Sequence, residues 1–540
     1  MEMLIRNGSV WTGNESQPRA EAVAVRDGRI VAVGTEADAR ARIGRDAVEI
    51  DAGGRTVLPG FIDAHNHYLA TAEQLASVDL RYPAVDSISE LTRAIAEAAE
   101  NTPDGRWIRG FSLDWAKFPD GRLPTRDDLD AATQVHPVIV YHVSGHHALV
   151  NTAAMLDRGI PESVADPSGG KFVRDEGGRL TGLCLDSATS KILPVELEIG
   201  CHGPNFHTLL PGQDTIALLD AASHEYLKVG LTTVCDPQVT RREMKGYREA
   251  HRQGVLRLRV VMMPLSNHLD DFINIGMAGP FGDDQLMIGP MKLYSDGTLI
   301  GGTAWFMEPY GEQGQFTGST YWKPNELAEL VSRAHAAGWQ VGIHTGGDAA
   351  MEMTINAIEA AMRANPRLDT RHRIEHCFYP TPEQIGRMAS LGIIPVNQPN
   401  MLCDCGDEFL TRLGHRAHRL EPMREELEVG IKPVLSSDAF VTSFNPLHTI
   451  ANSLDRKTRQ GQPTGEDQRL TFEEALRAHT IDAAVSIRME DRLGSLEVGK
   501  LADIAILDDD LHATEPDKIR GIPIWKTILG GEVLWSGAAA

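Results

Sequence analysis

Residues 58–65 read LPGFIDAH, and Asn66 and His67 follow, so an apolar strand-like run ends in Asp63, His65 and His67 at alternating positions. The period of two along a strand places these three side chains on one face, where the two imidazoles converge on one point. Imidazole is a strong ligand for zinc and its first-row neighbours. Taken alone, the pair fits a structural role as well as a metal site. The rest of the chain decides between the two.

Seven further runs of the same kind follow: LTTVCDP (231–237), LRLRVVMMP, GPMKLYSDG (289–297), WQVGIHTGG (339–347), RHRIEHC (371–377), IIPVNQP (393–399) and KPVLSSDAF (432–440). Amphipathic helical stretches such as PNELAELVSRAHAAG and TPEQIGRMASLG lie between them. Eight strands alternating with helices predict an α/β fold, a (β/α)8 TIM-type barrel, whose chemistry sits at the C-terminal ends of its strands. Both termini read instead as short strands divided by Gly and Asp. In AVAVRDGRIVAVG, Asp27-Gly28 is a hairpin signal, and GSLEVGKLADIAILDDD and TILGGEVLWSG near the other end match it in kind. Isolated hairpins are marginal in water, so 1–57 and 486–540 are expected to pair into one small β domain. Strand 1 with its exit takes 58–70, an inserted α+β domain 71–210, and the rest of the barrel 211–485. An insertion at the C-terminal end of a barrel strand is the natural place for substrate selection.

The chain has 540 residues, with 52 Lys plus Arg against 75 Asp plus Glu, a formal charge of −23. That charge repels phosphate backbones and anionic lipid, so neither nucleic acid nor a membrane is an expected partner. The start, MEMLIRNGSV, lacks a basic segment leading into an apolar run, and no stretch nears the roughly 20 apolar residues of a membrane span. A cytoplasmic location is expected. The partners expected are a small-molecule substrate and, as one oligomeric option, a second copy in a homodimer. Six cysteines are too sparse for a disulfide framework. Cys403 and Cys405 form a CxC without a second thiol pair and read as plain loop.

Strand 5 ends at His344, strand 6 at His376 and strand 8 at Asp438, and a lone histidine at any one of these positions reads as structural. Four histidines and an aspartate at the same ends of one barrel read as a metal site. Strand 4 adds Lys292 between Met291 and Leu293. Buried there, it loses charge by desolvation, and its neutral amine can capture carbon dioxide as a carbamate; the alternative is a lysine pointing to solvent. Asp348, Glu375 and Asp296 are placed to accept from the outer N–H groups of the imidazoles, a role that competes with simple capping. His146 in SGHHA and Trp115 in SLDW lie in the insert and are candidates for substrate contact, Trp115 equally for packing in the insert's own core.

PGFIDAHNH, Lys292, His344, RHRIEH and the Asp438 of SSDAF together resemble the amidohydrolase superfamily, and the order of ligands on strands 1, 4, 5, 6 and 8 matches its binuclear pattern. RGFSLDWAKFPDGRLPTRDDLD, VSGHHALVN, SDGTLIGGTA, IHTGGDAA and GKLADIAIL look more narrowly like the N-substituted formamide deformylase-like branch. The resemblance implies that 1–57 and 486–540 form a small β-sandwich beside a barrel carrying divalent metal, two zinc ions, with His65, His67 and Asp438 on one, His344 and His376 on the other, and a carbamate of Lys292 bridging them. It implies hydrolysis of a non-peptide C–N bond, in an amide, N-formyl or carbamate-like small molecule, by metal-activated hydroxide, with Asp438 passing the proton to the departing nitrogen. Thr345 and Gly346 stand where the branch commonly has Ala or Ile before the glycine, and Ala439 and Phe440 where Pro is frequent; these reshape the pocket rather than the ligands. Two other readings remain. A mononuclear deaminase of a ring or amidine tends to carry a glutamate three residues beyond the strand 5 histidine, where this chain has Gly347. A non-catalytic assembly protein on the same scaffold would have lost ligands that this chain retains.

Overall fold

In the computed structural model, residues 1–119, 121–167, 170–186, 188–192, 199–204, 215–509 and 515–537 are described. Parts of the segments 71–210, 211–485 and 486–540 thus lie outside the described residues. The parallel strands are β1 Phe61–Asp63, β2 Leu231–Val239, β3 Arg259–Pro264, β4 Met291–Tyr294, β5 Val341–His344, β6 Arg373–Glu375, β7 Ile394–Asn397 and β8 Val434–Leu435. Hydrogen bonds join β1 to β2 and β2 to β3, and run in a second row from β4 through β8. A leading piece, Leu286–Ile288, pairs with β3. Gly289-Pro290 then interrupts the run, because Pro has no N–H to give the ladder. The two rows meet where Leu265 pairs with Lys292, and where the Asp438 amide donates to the His65 carbonyl at 2.9 Å. This is a TIM-barrel-type α/β fold.

Helices follow the strands. Pro324–Ala336 lies between β4 and β5, Asp348–Ala364 between β5 and β6, and Pro382–Leu391 between β6 and β7. The last starts on a capping box, Thr381 with Gln384, and stops at Gly392 in the left-handed conformation. Cys403 and Cys405 sit at the junction of two short helices, Pro399–Asp404 and Gly406–Leu413, rather than in a plain loop. Leu402, Cys405 and Phe409 recur at helical spacing and share one apolar cluster, which is what orders the segment.

The terminal strands form two sheets. One holds Glu2–Arg6, Ala22–Arg26, Arg29–Gly34 and Val48–Asp51; the other mixes Thr56–Pro59 and Ser9–Trp11 with Ile504–Leu507, Ile524–Leu529 and Glu532–Ser536. Both contribute to one core that includes Ile5, Val23, Ile50, Val57, Ile504 and Ile528. The Asp27-Gly28 hairpin turns as its composition requires, with φ of +51° and +78°. The barrel is tied to these sheets by buried Arg259, which donates to both oxygens of Asp503 at 2.6 and 2.8 Å.

By contact density the chain divides into Met1–Tyr68 with Leu219–Ala540, and Leu69–Leu218. The second unit has its own six-stranded mixed sheet, in the order Gly170–Arg174, Leu180–Asp186, His147–Val150, Val138–His142, Ile108–Leu113 and Val78–Asp79. Its core packs Leu91, Ile95, Leu129 and Val138 together. Among the described residues, no helix is long and apolar enough to cross a membrane.

Candidate metal centre

Each predicted ligand but Lys292, the second residue of β4, lies at, or just beyond, a strand's C-terminal end. β1 stops at Asp63, so His65 and His67 occupy the turn that follows rather than the strand itself. Asp63 turns to the scaffold: it accepts from the Ser437 amide at 3.0 Å, the Ser437 hydroxyl at 2.6 Å and Asn66 Nδ2 at 2.8 Å. That clamp joins the ends of β1 and β8, and thereby sets His65 and His67 against Asp438. His376 and Asp438 have φ of +74° and +53°, a conformation costly for residues with a Cβ and one that clusters at functional sites.

One potential ligand atom from each of His65, His376 and Asp438 lies within 4.8 Å of the other two. His67 Nε2 stands 3.2 Å from Asp438 Oδ1, and the His344 ring centroid 4.4 Å from that of His376. Lys292 is fully buried, its Nζ 4.6 Å from the centroid of the Tyr294 ring. The structure thus brings His65, His376 and Asp438 tightly together, with His67 and His344 beside them. Lys292 Nζ, His65 Nε2 and Asp438 Oδ1 are buried, and among the described residues no hydrogen bond satisfies them.

The outer nitrogens are held. His65 Nδ1 lies 2.6 Å from Glu375 Oε2, and Glu375 receives both Arg373 Nε at 2.8 Å and a terminal nitrogen of Arg373 at 2.9 Å. Gly342 makes room for this carboxylate, since a Cβ there would lie 2.5 Å from Glu375 Oε1. His376 Nδ1 faces Gln398 Oε1 at 2.9 Å, and His344 Nε2 faces the Gly297 carbonyl at 3.0 Å. A nitrogen that donates to oxygen leaves the other as a lone pair. His65 and His376 therefore present Nε2, and His344 presents Nδ1.

Burial sets the charges. It holds His67 near a pKa of about 4 and His376 near about 3, both neutral donors at pH 7. Burial brings Lys292 down to about 8, with Glu375 and Asp438 opposing the shift. Burial alone would raise Glu375. The guanidinium beside it overcomes that and holds it well below the carboxylate range.

Of the three carboxylates expected behind the ligands, Glu375 reaches one. Asp296 instead accepts from the amides of Gly346, Gly347 and Trp305, stapling the segments after β4 and β5, and burial raises its pKa to about 7. Asp348 anchors the Met307 amide at 2.7 Å. In the other unit, Trp115 packs 4.2 Å from the His142 ring, and His146 is buried with its amide donating to Ser144 Oγ. Arg373 and Gln398 were not read from sequence. Arg373 is two residues before Glu375 and hence on its face, and Gln398 ends the β7 run, so position alone carried a signal for both.

The amidohydrolase family model matches residues 48–535. The chain is 30% identical to the N-substituted formamide deformylase of Arthrobacter pascens over 98% of its own length and 97% of that protein. It is 28% identical to the putative amidohydrolase YtcJ of Bacillus subtilis over 99% of both. A solved metal-dependent hydrolase from Pyrococcus furiosus superposes with a TM-score of 0.75 at 25% identity, covering 96% of this chain and 100% of that one. With histidines and a carboxylate converging at the strand ends of such a barrel, the chain belongs to the amidohydrolase family and is a hydrolase of carbon–nitrogen bonds other than peptide bonds.

Proposed function

We propose that the protein hydrolyses an N-substituted formamide or a closely related small amide, using two zinc ions that His65, His67, His344, His376, Asp438 and carboxylated Lys292 would hold. One observation carries the metal reading. His65 Nδ1 is committed to Glu375, so in the neutral imidazole Nε2 is a lone pair, and it faces Asp438 Oδ1 at 3.3 Å. Two buried lone pairs repel unless a cation lies between them. The donor set, imidazole with carboxylate, suits zinc. The similarity to the formamide deformylase along nearly the whole chain supports the substrate class.

Divalent ions bound there act as Lewis acids that lower the pKa of water and polarise a carbonyl. The chain's own groups prepare and finish the reaction. Burial keeps a share of Lys292 as free amine, which adds to carbon dioxide with loss of one proton to give the carbamate. Asp438, as its carboxylate, accepts a proton on an oxygen and delivers it to the departing nitrogen, which leaves as amine only once protonated. The insert, which leaves the chain after the strand that precedes His65 and His67, is proposed to choose the substrate.

Purified protein is analysed for metal and incubated with N-formyl, N-acyl and carbamate compounds, scoring amine against ammonia. Amine release that is lost with His67→Ala is the expected result. Full activity in that variant, or ammonia as the nitrogen product, overturns the reading.

A further inference from the structure

The outer nitrogens of His65, His344 and His376 rest on three different acceptors. Glu375 is a carboxylate and Gly297 offers a carbonyl, and neither can donate to a ring nitrogen. Gln398 is different, because its amide carries an acceptor and a donor of nearly the same shape. With Oε1 toward His376, the ring keeps its proton on Nδ1 and offers Nε2. Turned over, the amide would donate to Nδ1 and force the proton onto Nε2, removing the ligand atom.

The surroundings of Gln398 permit one orientation. Its Nε2 donates to the Val396 carbonyl at 3.2 Å, an acceptor that a turned amide oxygen would oppose. It also donates to Ser436 Oγ at 2.9 Å, and that hydroxyl gives its own proton to the Asn397 carbonyl at 3.2 Å, so a lone pair faces Gln398. The backbone is fixed as well: the Gln398 amide donates to Glu421 Oε1 at 3.0 Å, and buried Arg456 holds the Glu421 carbonyl at 3.1 Å. Gln398, Ser436, Glu421 and Arg456 are all fully buried, so water does not compete for these bonds.

We infer that Gln398 is a positioning residue that locks His376 in the Nδ1–H tautomer, with Ser436 and the Val396 carbonyl fixing its amide so that Nε2 is offered to the metal. The metal half rests on the function proposed above; the tautomer half does not.

Histidine ring nitrogens are labelled with 15N, and the tautomer of His376 is read in metal-free protein by long-range proton–nitrogen correlation. Wild type and Gln398→Glu, which keeps an acceptor, are expected to show Nδ1–H. Gln398→Leu is expected to show a mixed or Nε2–H tautomer, and its zinc affinity, measured by competition with a chromogenic chelator, to fall by about 10–100-fold. Ser436→Ala, a smaller change that spares the core, is expected to shift both readouts in the same direction. Gln398→Leu with the wild-type tautomer overturns the inference, as does Gln398→Glu losing as much zinc affinity as Gln398→Leu; if Gln398→Leu does not fold, an unchanged tautomer and affinity in Ser436→Ala overturn it. A wild type that shows Nδ1–H yet binds no zinc refutes the proposed function and leaves the tautomer lock standing.

Discussion

Arg373 and Glu375 are both fully buried and joined by two hydrogen bonds of 2.8 and 2.9 Å, while Glu375 also accepts a hydrogen bond from His65 Nδ1. Removing one partner of such a pair leaves an uncompensated charge, at a cost of about 3–5 kcal/mol, whereas replacing both with apolar groups is often neutral. Arg373→Met is therefore expected to lose about that much stability. Arg373→Met combined with Glu375→Leu should recover most of it, short of the bond from Arg373 to the Ala64 carbonyl at 2.7 Å. Zinc binding should not recover, because in the double variant His65 Nδ1 has lost its acceptor, and a lost outer partner costs about 10–100-fold in affinity. Urea unfolding in the presence of a chelator measures the first quantity, and chelator competition the second. A single variant within about 1 kcal/mol of wild type would refute the buried-pair reasoning, against that expected cost. A double variant with wild-type zinc affinity would refute the role given to Glu375.

Gly342→Ala should act on the same carboxylate from the other side, since its Cβ would press on Met263 Cε, which can move, and on Glu375 Oε1, which Arg373 holds in place. Loss of zinc affinity with the fold retained by circular dichroism is expected, and unchanged affinity would contradict it. Glu426 is a buried acid that accepts from Asn397 Nδ2 at 3.1 Å, and burial raises its pKa from 4.5 to about 8. The folded protein keeps a proton that the unfolded chain releases above about 4.5, so the associated stability is full below that pH and is lost as pH rises through 8. Glu426→Gln, uncharged at every pH, should lose less stability than wild type between pH 6 and 9, read from unfolding midpoints; parallel pH profiles would refute the raised pKa.

Much of the site was legible before folding. Alternation and residue type along LPGFIDAH, WQVGIHTGG and RHRIEHC are local properties, and they gave the strands and the candidate ligands near their ends. The same reasoning failed for Asp296 and Asp348, because an acidic residue near a strand end looks the same whether it faces an imidazole or a backbone amide. Asp296 takes three amides across two segments and Asp348 two, and neither choice is written in the local pattern. The Cys403–Cys405 segment failed for a related reason. Its helical order comes from burying Leu402, Cys405 and Phe409 in a shared cluster, a tertiary effect that propensity does not report.

By itself the sequence determined the period of the strands, the barrel class and the identity of the histidines, lysine and aspartate gathered at one end. The tertiary structure decided which nitrogen His65, His344 and His376 offer, that Lys292 is buried rather than solvent-facing, and that Asp63 clamps the scaffold. The physical reason is distance along the chain. A period of two is set by neighbouring residues, whereas the bond from His65 to Glu375 spans 310 positions and exists only once the barrel brings those strands into register.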